Sequence, residues 1–288
     1  MRYTIDKLYC IPFFYLSIVN INWIESIIFP KVFLNEGKAS TFLRGKTILI
    51  TGASDGIGKA CALLFSKFNV HLILVGRSKQ RLDEVAKIII NHNSTASIFV
   101  ADLYQEEQVD QLLANIRAQQ TPIDIFISNA GKSIQRSLQH SLLRYHDFTR
   151  TNALNYLAPV KITLAITPIL SKQCGQIVNV SALNVLLLPI AKWAAYQASK
   201  TAFDQYCRSN QSEWRKMNIR LKTIYLPLVK TKMITPNVTY QNMPAMERNE
   251  AALRILKLLM GASSYSRPWW AIFPITIGFF IRKFWDRF

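Results

Sequence analysis

The chain is poor in the residues that build metal or disulfide frameworks. Only four of its 288 residues are cysteine and four are histidine. Cys10, Cys61, Cys174 and Cys207 lie far apart, with no C-x-x-C pair and no clustered histidines, which excludes a recognisable zinc site or disulfide framework. Buried thiols in a reducing compartment are the default. Acidic residues are also scarce: 17 Asp plus Glu against 35 Lys plus Arg give a formal net charge of +18, which favours anionic partners such as phosphates or acidic lipid headgroups. The basic residues are scattered, with no dense basic run and no RNA-binding aromatic motif, so nucleic acid is not expected as a partner. No Pro/Gly/Ser-rich linker, internal repeat or low-complexity run divides the sequence. One domain with appendages follows.

A clean run of membrane-spanning length is missing too. Leu8 to Phe29 is apolar and aromatic, but Asn20, Asn22 and Glu25 interrupt it, Pro12 falls near its start and Pro30 closes it. A spanning helix wants around 20 apolar residues, and a central acid costs about 2.5 to 3.5 kcal/mol. Leu8 to Val19 also has the character of a signal-peptide core, yet no small-x-small cleavage site follows. Residues 1–43 therefore read as a hydrophobic appendage that lies at an interface or covers the core, with a membrane span or a targeting peptide as alternatives. Half the residues are hydrophobic, and the excess sits at the two ends.

What is present is strand, turn and helix in alternation. Lys46 to Ile50 is a short apolar run that enters Thr51-Gly52-Ala53-Ser54-Asp55-Gly56-Ile57-Gly58, followed by a helical pattern through Phe68. Such glycines let backbone approach a pyrophosphate, and the helix start offers free amides and a positive dipole end. Val70 to Val75 ends in Gly76-Arg77, a basic residue where NAD-binding folds often carry an acid; this favours the 2′-phosphate of NADP, although Asp55 works against a second phosphate. Ser78 to His92 reads as helix, Ala96 to Val100 as strand ending at Asp102-Leu103, Gln105 to Gln119 as helix, and Ile123 to Ser128 as strand ending at Asn129-Ala130-Gly131. This alternation predicts a doubly wound parallel α/β sheet with helices on both faces, its ligand at the strand ends.

Tyr196-Gln-Ala-Ser-Lys200 carries the chemistry. On a helix the phenol and the ammonium share one face a turn apart. A tyrosine ordinarily titrates near pH ~10, and a cation beside it favours the phenolate and makes it a better proton donor near neutrality.

Taken in order, the motifs Thr51-Gly52-x-x-x-Gly56-Ile57-Gly58, Asn129-Ala130-Gly131, the Asn155 region, Ile177-Val178-Asn179-Val180-Ser181, Tyr196-x-x-x-Lys200 and Pro227 to Thr231 resemble the short-chain dehydrogenase/reductase family over about residues 45 to 260. The resemblance implies a Rossmann-like domain (44–265), an NADPH cofactor and a tetrad. In it Tyr196 protonates the substrate oxygen, Lys200 binds the nicotinamide ribose and lowers the tyrosine pKa, and Asn155 holds a water in the proton relay. It further implies that Gly52, Ser54, Gly56, Ile57, Gly58, Arg77, Asp102, Asn129, Ala130, Gly131, Lys200, Pro227 and Thr231 meet the cofactor. Asp102 would touch adenine, or else cap a helix.

Three positions depart from the family pattern: Ala158 and Leu228 replace glycines, and Ala182 stands where the catalytic serine is usual. Either Ser181 is shifted into place or the site works with a weakened oxyanion contact, a loss worth about 10²- to 10³-fold in turnover. A narrower resemblance, in Asn129 to Arg136, Tyr145 to Phe148 and Ile224 to Pro236, is to bacterial fatty acyl-CoA reductases. It implies NADPH-dependent reduction of a lipid carbonyl, with long-chain acyl-CoA giving aldehyde. A keto-lipid or small-ketone reductase is the first alternative, and a catalytically weakened cofactor-binding scaffold or sensor the second. The 266–288 appendage mixes aromatic and basic residues, with Trp269 to Phe273 read as a final strand, and suits a membrane interface or a lid over the pocket. A cytoplasmic, peripherally membrane-associated enzyme is expected, and a homo-oligomer is compatible with the family.

Overall fold

The computed structural model describes residues 21–234, 240 and 243–285. The apolar stretch Leu8–Val19, Cys10, Arg287 and Phe288 lie outside the described residues. Seven strands are found among those described: β1 (Thr47–Thr51), β2 (His71–Gly76), β3 (Thr95–Val100), β4 (Ile125–Ser128), β5 (Gln176–Ala182), β6 (Arg220–Leu226) and β7 (Tyr265–Ser266). They make one sheet in the order β3-β2-β1-β4-β5-β6-β7, every pairing parallel. The helices of eight residues or more among those described are α1 (Ile21–Ile28), α2 (Glu36–Leu43), α3 (Gly56–Phe65), α4 (Lys79–Ile90), α5 (Glu106–Ala118), α6 (Tyr145–Asn152), α7 (Ala158–Lys172), α8 (Ala194–Lys216), α9 (Arg248–Met260) and α10 (Ile272–Trp285).

The central strands β1, β2, β4, β5 and β6 are buried along both faces, as a parallel sheet covered by helices on both sides requires, whereas β3 and β7 at the two edges are partly exposed. Along β1, Ile48 and Ile50 point into one core with Phe65 of α3, Leu82 of α4 and Ile255 of α9. Leu49 points into the other, with Leu112 of α5, Ile162 and Ile166 of α7 and Phe203 of α8. Strand order reverses direction between β1 and β4, which opens a crevice at their carboxyl ends.

Between α6 and α7, Ala153–Leu157 widens into a π turn in which Ala158 N–H reaches back to Ala153 C=O. The cause is local: Pro159 lacks the N–H that would meet the Asn155 carbonyl, and its ring crowds that carbonyl. The whole helical stretch Tyr145–Lys172 is long and apolar enough to cross a membrane by length and composition. Its inner residues Leu154, Ile162, Ile166 and Leu170 are nevertheless part of the core.

The two ends of the chain fold onto the domain. Glu25 of α1 accepts hydrogen bonds from Lys230 Nζ (2.8 Å) and the Ala245 N–H (3.0 Å), so the acid that interrupts the apolar run fastens it in place. Arg254 donates to the Pro30 carbonyl, the Val32 N–H donates to Glu250, and Asn35 caps α2. Trp269 to Phe273 is not the final strand that its aromatic content predicts. Pro268 starts a 3-10 turn closed by the Ala271 N–H on its carbonyl (3.1 Å), and α10 begins at Ile272, with Pro274 harmless in the first turn. The last strand is instead Tyr265–Ser266, beside Thr223 and Ile224.

Candidate active site

The glycine turn after β1 is built for close approach. Gly52 has φ +69°, and a Cβ there would stand 2.9 Å from Asn129 Nδ2 and 3.1 Å from Ala130 Cα. At Gly58 a Cβ would lie 2.2 Å from the Gly52 carbonyl oxygen, so α3 can start this close to the strand only without a side chain. The β4 turn is welded to the same place. Asn129 N–H and Ala130 N–H both donate to Thr51 Oγ1 at 3.1 Å, while Asn129 Nδ2 donates to the Thr51 carbonyl at 3.0 Å. Asp55 caps α3 by accepting the Gly56 N–H at 2.7 Å. Burial pushes its carboxyl upward, but that bond, Lys232 at 3.1 Å and Arg81 at 3.8 Å outweigh burial and hold it below the usual carboxylate range. Its negative charge is therefore largely offset before any phosphate arrives.

At the end of β2, the Arg77 guanidinium stacks 5.6 Å from the Tyr104 ring centre, and Arg150 lies 5.2 Å from the same ring. Asp102 accepts the Tyr104 N–H (3.2 Å), and its own N–H donates to Gln108. It forms a local turn and does not cap α5, whose N-cap is Gln105.

Tyr196 is the third residue of α8 and Lys200 lies one turn on. Lys200 is 8 % exposed and its ammonium donates to the Val180 carbonyl at 3.1 Å. Burial lowers its pKa to about 8. Burial also pushes the Tyr196 phenol up to about 12, opposite to the direction expected from a neighbouring cation. Each group is shifted by its own burial, and desolvation dominates both.

Asn155 sits in the π turn, 1 % exposed. Its Oδ1 accepts the Lys132 N–H (2.9 Å), and its Nδ2 donates to the Lys132 carbonyl and to Ser199 Oγ (both 3.0 Å). Ser199 Oγ in turn donates to the Tyr196 carbonyl at 2.9 Å. A chain of bonds thus runs from the β4 turn to the start of α8. Ser181 Oγ is buried without a hydrogen-bond partner, and so is Asn184 Oδ1.

These groups face one cavity of about 780 Å³. Gly52, Ser54, Gly56, Ile57, Arg77, Asp102, Asn129, Ala130, Gly131, Ser181, Tyr196, Lys200, Pro227 and Thr231 line it; Gly58 and Asn155 stand behind the wall as supports. The far end is apolar, with Leu187, Ile190, Trp193, Met233 and Met243. Trp193 stacks on Tyr240 (5.8 Å) and lies 5.6 Å from the Tyr196 ring. Sequence reasoning did not pick out Asn184, Trp193 or the wall given by Ile28, Phe29 and Trp270, because no motif marks them. Only the folding of both chain ends onto the cavity reveals the last three. The glycine cradle, the arginine at β2 and the lysine under the β5 carbonyl fit a dinucleotide laid across the β1/β4 crevice.

The family model for short chain dehydrogenases matches residues 46–242. A fatty acyl-CoA reductase of Acinetobacter baylyi is 40 % identical over 211 residues, covering 73 % of this chain and 71 % of that protein. A fatty acyl-CoA reductase of Mycobacterium tuberculosis is 39 % identical over 211 residues, with 73 % and 72 % covered. Among solved structures, a short-chain dehydrogenase/reductase of Caenorhabditis elegans with cofactor superposes with a TM-score of 0.69 at 27 % identity, over 78 % of this chain and 94 % of that one. A 3-oxoacyl (acyl-carrier-protein) reductase of Agrobacterium tumefaciens with NADP bound gives 0.70 at 25 % identity, over 82 % and 99 %. Because the match runs through six of the seven strands and both turns of the crevice, this chain belongs to the short-chain dehydrogenase family and is an NAD(P)-dependent oxidoreductase.

Proposed function

We propose that this protein reduces a lipid carbonyl with NADPH, and that long-chain acyl-CoA is the substrate, released as fatty aldehyde and free coenzyme A. The observation that carries the reading is a single cavity joining the glycine turn, Tyr196 and Lys200 to an apolar wall of Leu187, Ile190, Trp193, Met233 and Met243. The 40 % identity to a fatty acyl-CoA reductase supports the thioester. Arg77 and Arg81 beside the β2 end support the 2′-phosphate of NADPH, helped by Lys232 and Arg81 offsetting Asp55.

Bound nicotinamide supplies the hydride to the thioester carbon. Tyr196 gives the carbonyl oxygen a hydrogen bond, then its proton, as negative charge develops there. When the carbon–sulfur bond breaks, the oxygen returns that proton to Tyr196, the carbonyl re-forms as aldehyde, and the thiolate takes a proton from water. Lys200 keeps a positive charge beneath the ribose side of the cleft. Ser181, with its unpaired buried hydroxyl, is the nearest replacement in sequence for the serine absent at position 182. The apolar wall excludes water from the reacting carbon.

A keto-lipid reductase is the second reading, favoured by the likeness to a 3-oxoacyl reductase with NADP bound. A weakened cofactor-binding scaffold is the third, motivated by Ala182. Offering palmitoyl-CoA and a 3-keto thioester together and weighing products by mass spectrometry separates them. Hexadecanal supports the proposal, a 3-hydroxy thioester alone transfers it to the second reading, and NADPH binding without either product to the third.

A further inference from the structure

The outer face of α10 is apolar where a globular surface would be polar. Ile272, Phe273, Ile277, Phe279 and Phe280 are exposed, Phe279 at 76 % and Phe280 at 72 %, and their spacing puts them on one side of the helix. The opposite side is occupied: a Cβ on Gly278 would stand 3.3 Å from Leu188, and Ala271 is fully buried. Trp269 stands edge-on to Phe273, and its indole N–H donates to the Ile27 carbonyl at 3.3 Å. That bond ties the turn leading into α10 to α1, where Trp23 and Ile27 are exposed as well. Two elements from opposite ends of the chain thus present one apolar surface.

Its charge has one sign. Among the described residues from Trp269 onward there is no acid, Asp286 lying outside them; Lys31 and Arg282 are exposed near its borders, and the Glu25 carboxylate of α1 is spent on Lys230 and Ala245. We propose that this face seats on an anionic phospholipid bilayer. At 14 residues, about 21 Å, α10 is too short to cross a hydrocarbon core of about 30 Å, so it lies in the interface with its aromatic side down. A second copy fits less well, because among the described residues a self-complementary contact would set the exposed cations Lys31 and Arg282 against like charges, with the Glu25 carboxylate already committed to Lys230. The neighbours of the exposed residues explain the purpose: Ile28, Phe29 and Trp270, next in sequence to Ile27 and Trp269, line the cavity. The docked face would put the apolar end of the cavity against the membrane, where an acyl chain resides. This deepens the lipid-substrate reading and rests on it for what enters the cavity.

The test is co-sedimentation of the full chain with vesicles of phosphatidylcholine alone or mixed with phosphatidylglycerol, for wild type and the double variant Phe279→Ser/Phe280→Ser. Neither phenylalanine lines the cavity. Wild type binds the anionic vesicles, less so as salt is raised, and the double variant loses at least about tenfold in partition with unchanged NADPH affinity. Wild type left in the supernatant overturns the proposal, as does a double variant that binds equally. So does light scattering that shows a dimer broken by the same substitutions without vesicle binding. Vesicle binding needs no substrate, so it survives if acyl-CoA reduction fails; thiol release from palmitoyl-CoA without vesicle binding sinks only the docking.

Discussion

Replacing Asn155 by Ala probes the framework of the site rather than its chemistry. The substitution removes three side-chain hydrogen bonds: one from the Lys132 N–H, one to the Lys132 carbonyl and one to Ser199 Oγ. At about 1 kcal/mol net each the loss is about 3 kcal/mol, reduced toward about 2 because water reaches Lys132. The midpoint of thermal unfolding should fall by roughly 5 °C or more. The same bonds fix the β4 turn against α8. The Gly131 Cβ position lies 3.1 Å from Asn155 Oδ1 and 3.3 Å from Lys200 Nζ, so a relaxed turn moves into the space of Lys200. NADPH affinity should therefore fall together with stability, read by circular dichroism melting and nicotinamide fluorescence. Asn155→Asp retains the acceptor for the Lys132 N–H but sets a carboxylate oxygen against the Lys132 carbonyl, and should not rescue either property. An Ala variant melting within about 1 °C of wild type would refute the framework reasoning and leave Asn155 only a role in the proton path.

Two further outcomes follow from the charges in the cavity. Arg77→Ala should raise the NADPH dissociation constant about tenfold or more while leaving NADH nearly unchanged, because a charge-assisted bond to one phosphate is lost; equal weakening of both cofactors would remove Arg77 from phosphate selection. Burial holds Lys200 near 8, below its ordinary 10.5, so between those values the unfolded chain binds more protons than the folded one. Stability should thus rise with pH there, and wild type should gain about 2 kcal/mol on Lys200→Met between pH ~8 and ~10 in urea unfolding, whereas a constant difference would mean that Lys200 titrates normally.

The domain itself was legible because its signals are local. Apolar runs of strand length that end in Gly52, Gly76, Asp102 and Asn129 give the alternation, and alternation points to a parallel sheet wound by helices, although the strand order is set by the three-dimensional packing. Tyr196 and Lys200 were legible for the same reason, being one helical turn apart. What escaped depends on distant partners. Glu25 looks like an obstacle to an apolar helix until Lys230, more than 200 residues away, supplies its counter-charge. Trp269 to Phe273 carries strand-forming side chains, but Pro268 and the packing of Gly278 on Leu188 decide for helix. The directions of the Tyr196 and Lys200 shifts are set by how deeply each side chain is buried, which spacing does not encode.

The most direct test of the function is NADPH oxidation by the purified full chain with palmitoyl-CoA, with free thiol followed in the same cuvette and Tyr196→Phe as control. The account predicts that thiol appears mole for mole with NADPH loss and that both fall by about 10² or more in the variant. NADPH loss without thiol, or a Tyr196→Phe enzyme that turns over like wild type, would contradict it.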